Sequence, residues 1–231
     1  MTSLAPTYVD DALFVVNKPA GVLAQADHTG DPDVLTLGTQ WLRMSDKDAS
    51  FLGLVHRLDR PTSGVMVLAR TSDAAALLSQ QFRERTVDKT YLAVVEGTRT
   101  GIGTWTDTIA KIGRQPQIVA PDHPEGAHAE LTWQALAQDD TRTLLQIQLH
   151  TGRPHQIRLQ ASERGHPVAG DRRYGAPSDV ERGAIALHHV RIRVEHPDTQ
   201  RVETFTASLP DFWAPYRGVF PEALARFEGE P

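Results

Sequence analysis

Five apolar residues in unbroken succession, Val65-Met66-Val67-Leu68-Ala69, constrain this chain more than any other feature. A run of that length, entered through a turn, reads as a buried strand. The turn is Pro61-Thr62-Ser63-Gly64, whose backbone geometry is set by its proline and glycine. Before it stands His56-Arg57-Leu58-Asp59-Arg60. Asp59 is therefore expected on a short rigid loop at the opening of a strand, between two arginines. A nearby cation favours the ionised form of a carboxylate. An ionised, positioned carboxylate flanked by phosphate-binding side chains suits a nucleophile or base acting on a polyanion. The same features suit a surface ion pair at a strand start.

At 231 residues, with 40% hydrophobic and 23% charged residues, the chain has the composition of a globular protein with ample material for a core. It has no cysteine, which excludes disulfides and thiolate chemistry and fits a reducing compartment. Met1 to Asp11 lacks the basic patch and apolar core of a signal peptide. No apolar run approaches the roughly 20 residues that span a bilayer. The reading is a soluble, cytoplasmic protein. A net charge of -5 argues mildly against a nucleic-acid partner. The distribution softens that argument, because Arg142, Arg153, Arg158, Arg164, Arg172 and Arg173 concentrate basic charge in one third of the chain, while Asp10, Asp11, Asp27, Asp31 and Asp33 make its start acidic. A basic cleft on an acidic body still binds RNA, since local potential governs contact.

Leu13 to Asn17 reads as a short strand broken by Lys18-Pro19-Ala20-Gly21, and Leu35 to Met44 as a helix. Ser72 is the expected N-cap of a helix ending near Glu84, with Ala75, Leu78 and Phe82 on one face. Thr90 to Glu96 is a strand that opens on Tyr91, which without further information reads as a core aromatic. Glycines and prolines punctuate 101–129, predicting short strands and long loops there. Leu131–Ala137 and Thr143–Leu149 form an expected hairpin turning at 138–141. Pro154 suits the first turn of a helix running to about Arg164, with Gly165 as its stop. The apolar phase of the Ile185–Glu195 strand slips at His188-His189, predicting a bulge or bend. Phe212, Trp213, Tyr216, Phe220 and Phe227 read as packing residues that dock the tail.

The histidines invite a metal reading, but His150, His155, His188, His189 and His196 lack the helical spacing that presents two imidazoles on one face, so no metal site is expected. A Gly-rich phosphate loop and a serine elbow are both missing from the sequence. Ser63 near His56 is read as a turn residue rather than a nucleophile.

The string His56-Arg57-Leu58-Asp59-Arg60-Pro61-Thr62-Ser63-Gly64 resembles the catalytic motif of the RluA-type pseudouridine synthases. Others follow in that family's order: Val15-Val16-Asn17-Lys18-Pro19-Ala20-Gly21, Gln81-Phe82-Arg83-Glu84-Arg85, Lys89-Thr90-Tyr91-Leu92-Ala93, Thr151-Gly152-Arg153-Pro154-His155-Gln156-Ile157-Arg158 and Gly165-His166-Pro167-Val168-Ala169-Gly170-Asp171. The similarity runs from about residue 8 to about residue 212.

The resemblance implies an α+β fold: a mixed, mostly antiparallel sheet flanked by helices and loops, as a single catalytic domain over 1–231 with the active cleft across the sheet's middle. It implies an RNA pseudouridine synthase, an isomerase that flips a uridine of rRNA or tRNA, breaks its bond from N1 to C1′, rotates the uracil and joins C5 to C1′. No cofactor or metal is implied. Asp59 would be the catalytic carboxylate, either attacking C1′ or removing a proton at C2′. Tyr91 would stack on the uracil and serve as base at C5, and Arg158 would pair with Asp59. Arg57, Arg60 and Arg153 would bind the RNA, with Arg57 helping to fill the space left by the flipped base. The implied partner is a structured RNA stem-loop, with no membrane, no obligatory protein partner and a monomeric state. Gln160 departs from the family pattern, which often has histidine there. The chain also starts close to the catalytic domain, so a compact member without a small N-terminal RNA-binding domain is expected. The alternatives are an RNA-binding or RNA-folding chaperone on the same fold, which has no need of Asp59, Tyr91 and Arg158, and a glycoside or nucleoside hydrolase, which usually needs a second carboxylate.

Overall fold

The computed structural model describes residues 4–113, 115–181 and 183–227. In chain order the elements are β1 (Pro6–Val9), β2 (Leu13–Lys18), α1 (Val34–Met44), β3 (Gly53–Leu54), β4 (Ser63–Ala69) and α2 (Ser72–Glu84). They continue with β5 (Asp88–Glu96), β6 (Ile102–Ile112), β7 (Gln115–Val119), β8 (Ala127–Gln138) and β9 (Arg142–Leu149). The last are α3 (Gln156–Glu163), β10 (Leu187–Glu195), β11 (Val202–Thr206), α4 (Ala214–Val219) and α5 (Pro221–Ala225). Helices and antiparallel strand pairs together make an α+β fold, as expected. The chain divides into two compact units, one of residues up to 88 with 189–208, the other of 89–188 with the tail from 209.

In the first unit β4 is buried at all seven positions. Two layers account for this. Leu13, Val15, Val65, Val67, Ala69, Ile192 and Val194 form one apolar face, covered by Ala74 and Leu78 of α2 with Ala75 and Phe82 at the margin. On α1, Val34, Gly38 and Leu42 are buried at four-residue spacing, and Trp41 meets the Phe14 ring edge-on at 5.9 Å. A strand covered on both faces has no polar side to alternate with, which is why the apolar run is continuous. β2 lies antiparallel to β4, from Leu13 opposite Ala69 to Lys18 opposite Gly64.

The helix caps differ slightly from expectation. Thr71, not Ser72, caps α2: its backbone is extended and its hydroxyl accepts from the Ala74 N–H. Asp33 caps α1 by accepting from the Thr36 N–H and hydroxyl. The phase slip in β10 reflects burial: Leu187 to Val190 are all buried, whereas exposed and buried residues alternate from Arg191 to Glu195 and pair regularly with β11.

The second unit is built on strands in the order β5-β9-β8-β6-β7. The β8–β9 hairpin is as expected, with Asp139 Oδ1 accepting from the Thr141 and Arg142 N–H groups across the turn. The region 101–129 is a correction: β6 has 11 residues and pairs with both β7 and β8. Trp105 on β6 and Trp133 on β8 are buried with ring centroids 5.8 Å apart, and that packing outweighs the breaking tendency of the glycines. α3 begins two residues later than Pro154 predicts, because His155 adopts a left-handed conformation at φ 54°. In the tail Trp213, Tyr216 and Phe220 are buried, while Phe212 and Phe227 are half-buried.

Gly64 is the residue on which the register depends. Its φ is +125°, and a Cβ there would lie 2.4 Å from the His189 carbonyl oxygen and 2.5 Å from the His189 nitrogen of β10. Gly64→Ala combines a forbidden backbone conformation with collision against backbone that has nowhere to move, and is expected to cost about 2–5 kcal/mol. Gly101, at φ +80° with nothing near its Cβ position, is the control. Its alanine variant should cost only about 1–2 kcal/mol in urea unfolding measured in parallel.

Candidate active site

The loop that carries Asp59 is pinned at both ends. Upstream, His56 Nε2 accepts the Val67 N–H at 3.0 Å, and the imidazole stacks on Phe82 with ring centroids 4.8 Å apart. Downstream, the Thr62 N–H donates to the Asp59 carbonyl at 3.0 Å, closing a turn. Arg60 then ties that turn to Lys18-Pro19-Ala20-Gly21. Its carbonyl accepts the Gly21 N–H at 2.8 Å, and its Nε donates to the Gly21 carbonyl at 3.0 Å. Its guanidinium also meets Asp31 at 2.7 Å. Asp59 is half-buried and Arg57 is exposed.

Lys18 is the cation beneath this loop. It is fully buried, and Nζ donates to the carbonyls of Pro19 (2.9 Å), Val22 (2.8 Å) and Arg60 (3.2 Å). Three carbonyl oxygens match the three N–H bonds of an ammonium. Burial pushes its pKa down to about 7, the Asp59 carboxylate opposes the fall, and Arg60 adds to it. The sequence marks Lys18 as part of a strand-breaking turn and of the family's first motif, without a role of its own. Its role follows from register, because Lys18 is the last residue of β2 and faces Gly64, two residues beyond the Asp59 turn.

In the second unit Tyr91 is buried on β5 opposite Ile147 of β9. Arg158 is buried on α3 and forms a two-pronged pair with Asp171, Nε donating to Oδ2 at 2.6 Å and Nη2 to Oδ1 at 2.9 Å. The Tyr174 ring covers its guanidinium, with the central carbon 5.0 Å from the ring centroid. Arg153 is half-buried and donates from Nε to the His128 carbonyl at 2.9 Å. Gln160 is fully buried, and its amide donates to the Asp107 carboxylate at 2.7 Å and the Trp105 carbonyl at 3.2 Å. The amide thus fastens α3 to β6. Gln156 links Gln160 to Thr151, so a chain of side-chain amides runs along the buried face of the helix.

Within the first unit, then, the structure brings Asp59 and Arg60 to Lys18; within the second, it brings Arg158 to Asp171 and Tyr174. Neither Asp171 nor Tyr174 was assigned a role from sequence, since nothing local links positions 158, 171 and 174. The basic third of the chain is largely neutralised. Arg142 faces Glu96, Arg158 faces Asp171, Arg164 faces Asp107 and Arg172 faces Asp179. The histidines weighed as ligands hold separate structural posts. His188 packs edge-on against Trp213, His189 Nδ1 meets the Val65 carbonyl at 2.7 Å, and His196 Nε2 meets Asp10 at 2.8 Å.

The depressed pKa has a definite sign. The unfolded chain holds the Lys18 proton to about 10.5 and the folded chain to about 7, so between these values the unfolded state binds more protons and stability rises with pH. Below about 7 the burial cost of the charge is present in full. Lysine-selective NMR should show the Lys18 side chain titrating near 7, and lower still in Asp59→Asn, which removes the opposing carboxylate. A midpoint that does not move in that variant would contradict the coupling.

Residues 12–163 match the family model described as RNA pseudouridylate synthase. Ribosomal large subunit pseudouridine synthase C of Vibrio vulnificus is 36% identical over 217 residues, covering 87% of this chain and 64% of that protein. This chain thus spans slightly under two thirds of that relative's length. tRNA pseudouridine synthase C of Pasteurella multocida is 33% identical, covering 92% of this chain and 94% of that protein. Among solved structures, human RNA pseudouridylate synthase domain containing 4 has the same fold, with a TM-score of 0.74 at 23% identity over 96% of this chain and 92% of its own. The match over most of the chain, collinear with the Asp59 loop and the strand that carries Tyr91, places this protein in the RNA pseudouridylate synthase family.

Proposed function

We propose that this protein is an RNA pseudouridine synthase, acting in the cytoplasm on a uridine of rRNA or tRNA, with residues 1–231 serving as a single catalytic domain. The observation that carries the reading is the Asp59 loop: a half-buried carboxylate on a turn pinned through Arg60 and Lys18, inside the stretch that matches the family model. Asp59 is the catalytic carboxylate, attacking C1′ or abstracting the C2′ proton. Arg158 is the permanent cation this chemistry calls on. Tyr91 stacks on the uracil and takes the proton from C5. A relative named for tRNA that matches at nearly full length supports a tRNA substrate, and relatives named for the large ribosomal subunit support rRNA.

The RNA contacts are assigned by chemistry. Arg57 is exposed beside Asp59 and suits the space left by the extruded base. Arg60 and Arg153 contact RNA in this reading, and Arg60 must then exchange Asp31 for phosphate. The chaperone reading is the weaker one, because binding alone does not require a pinned carboxylate next to the backbone of a polyanion.

The test is tritium release from RNA carrying 5-tritiated uridine, with tRNA and rRNA as separate substrates. Wild type is expected to release tritium from one of them, and Asp59→Asn from neither. Tyr91→Phe, which keeps the ring and loses the hydroxyl, should retain RNA binding while its rate falls at least about 100-fold, the usual worth of a positioned base. Equal release by wild type and Asp59→Asn would overturn the assignment.

A further inference from the structure

Arg158 sits in a built cradle, and Asp171 is only half of it. Asp171 grips one edge of the guanidinium through Nε and Nη2. The Arg158 guanidinium carbon stands over the Tyr174 ring, 5.0 Å from its centroid. The Tyr174 hydroxyl lies 2.7 Å from His155 Nδ1, and the two rings meet at 87° with centroids 5.7 Å apart. His155 holds the left-handed conformation directly before α3, a backbone state uncommon outside glycine. The Tyr174 carbonyl accepts the Ser162 hydroxyl at 2.8 Å, fastening the 172–174 turn to α3 from its other side.

A carboxylate fork alone fixes one edge of a guanidinium but still lets the pair tilt about the line joining the two groups. A ring packed against the guanidinium opposes that tilt, and a hydroxyl anchored to imidazole keeps the ring from sliding. We propose that Tyr174, oriented by His155, is a positioning residue that sets the plane of the Arg158 guanidinium for its part in the reaction; this rests on the function proposed above. The device acts on turnover. No RNA contact is assigned to Tyr174 in this reading, so KM for RNA should stay as it is.

The experiment measures tritium-release kinetics for Tyr174→Leu and Tyr174→Phe, each alone and with Arg158→Lys. In the wild-type background Tyr174→Leu should lower kcat by about tenfold or more, with KM for RNA within about twofold. Tyr174→Phe, which keeps the ring and loses the anchor, should fall between. With Arg158→Lys already present, Tyr174→Leu should change kcat by less than about twofold, because the group it orients is gone. His155→Asn tolerates the left-handed backbone yet cannot reach the hydroxyl, so it should reproduce Tyr174→Phe without adding to it. This pair keeps the test open should Tyr174→Leu fail to fold.

Exchange of the Arg158 Nε–H, followed by NMR, reads the positioning without any activity. It should be slow in wild type and faster in Tyr174→Leu and Tyr174→Phe. Equal losses from Tyr174→Leu in both backgrounds, or an Arg158 signal unmoved by every variant, would overturn the inference. A wild type that releases no tritium while its Arg158 signal responds as expected would instead overturn the proposed function and leave Tyr174 as the residue that orients Arg158.

Discussion

The geometry around Asp59 depends on one strand register. β2 runs antiparallel to β4 so that Lys18 ends opposite Gly64, which places the Lys18–Gly21 turn against the Asp59 turn. A slip of one residue would send Lys18 to the other face of the sheet and leave the Arg60 carbonyl without its ammonium. Two constraints hold the register. The strand pair is apolar on both faces, so every slipped alternative buries Lys18 elsewhere or exposes core. Gly64 also admits the β10 backbone where any side chain would collide with it.

Two buried cations are handled in opposite ways. Lys18 has carbonyl oxygens around Nζ and a carboxylate nearby, so its charge is held by dipoles and is poised near neutrality. Arg158 has a carboxylate on one edge and an aromatic ring packed against it. A guanidinium keeps its proton in any such environment, whereas an ammonium does not. The difference in chemistry matches what each side chain does. Lys18 fastens the backbone of the Asp59 loop, and Arg158 presents a permanent charge in a fixed plane.

Much of this was legible in the sequence because it is local. The apolar run at 65–69, the turn before it, the α2 face of Ala75, Leu78 and Phe82, and the β8–β9 hairpin are each set within one continuous stretch of chain. What escaped reading depends on distance. Lys18 looked like punctuation because its acceptors include Arg60, 42 positions away. Tyr174 and Asp171 carry no local signal, since a bend after α3 is what returns them to Arg158. In 101–129 the glycines and prolines point to loops and outweigh Trp105, whose partner Trp133 only the folded sheet supplies. The cluster of arginines read as a basic surface because pairing with Glu96, Asp107, Asp171 and Asp179 is invisible in composition.

The proposed function stands or falls on whether Asp59 performs isomerisation and does not merely help to bind RNA. The decisive measurement is chromatographic quantification of nucleosides from RNA incubated with wild type and with Asp59→Asn, both verified as folded. Wild type should convert uridine to pseudouridine one for one, while Asp59→Asn should form none. Pseudouridine formed at the wild-type level by Asp59→Asn would contradict the proposal.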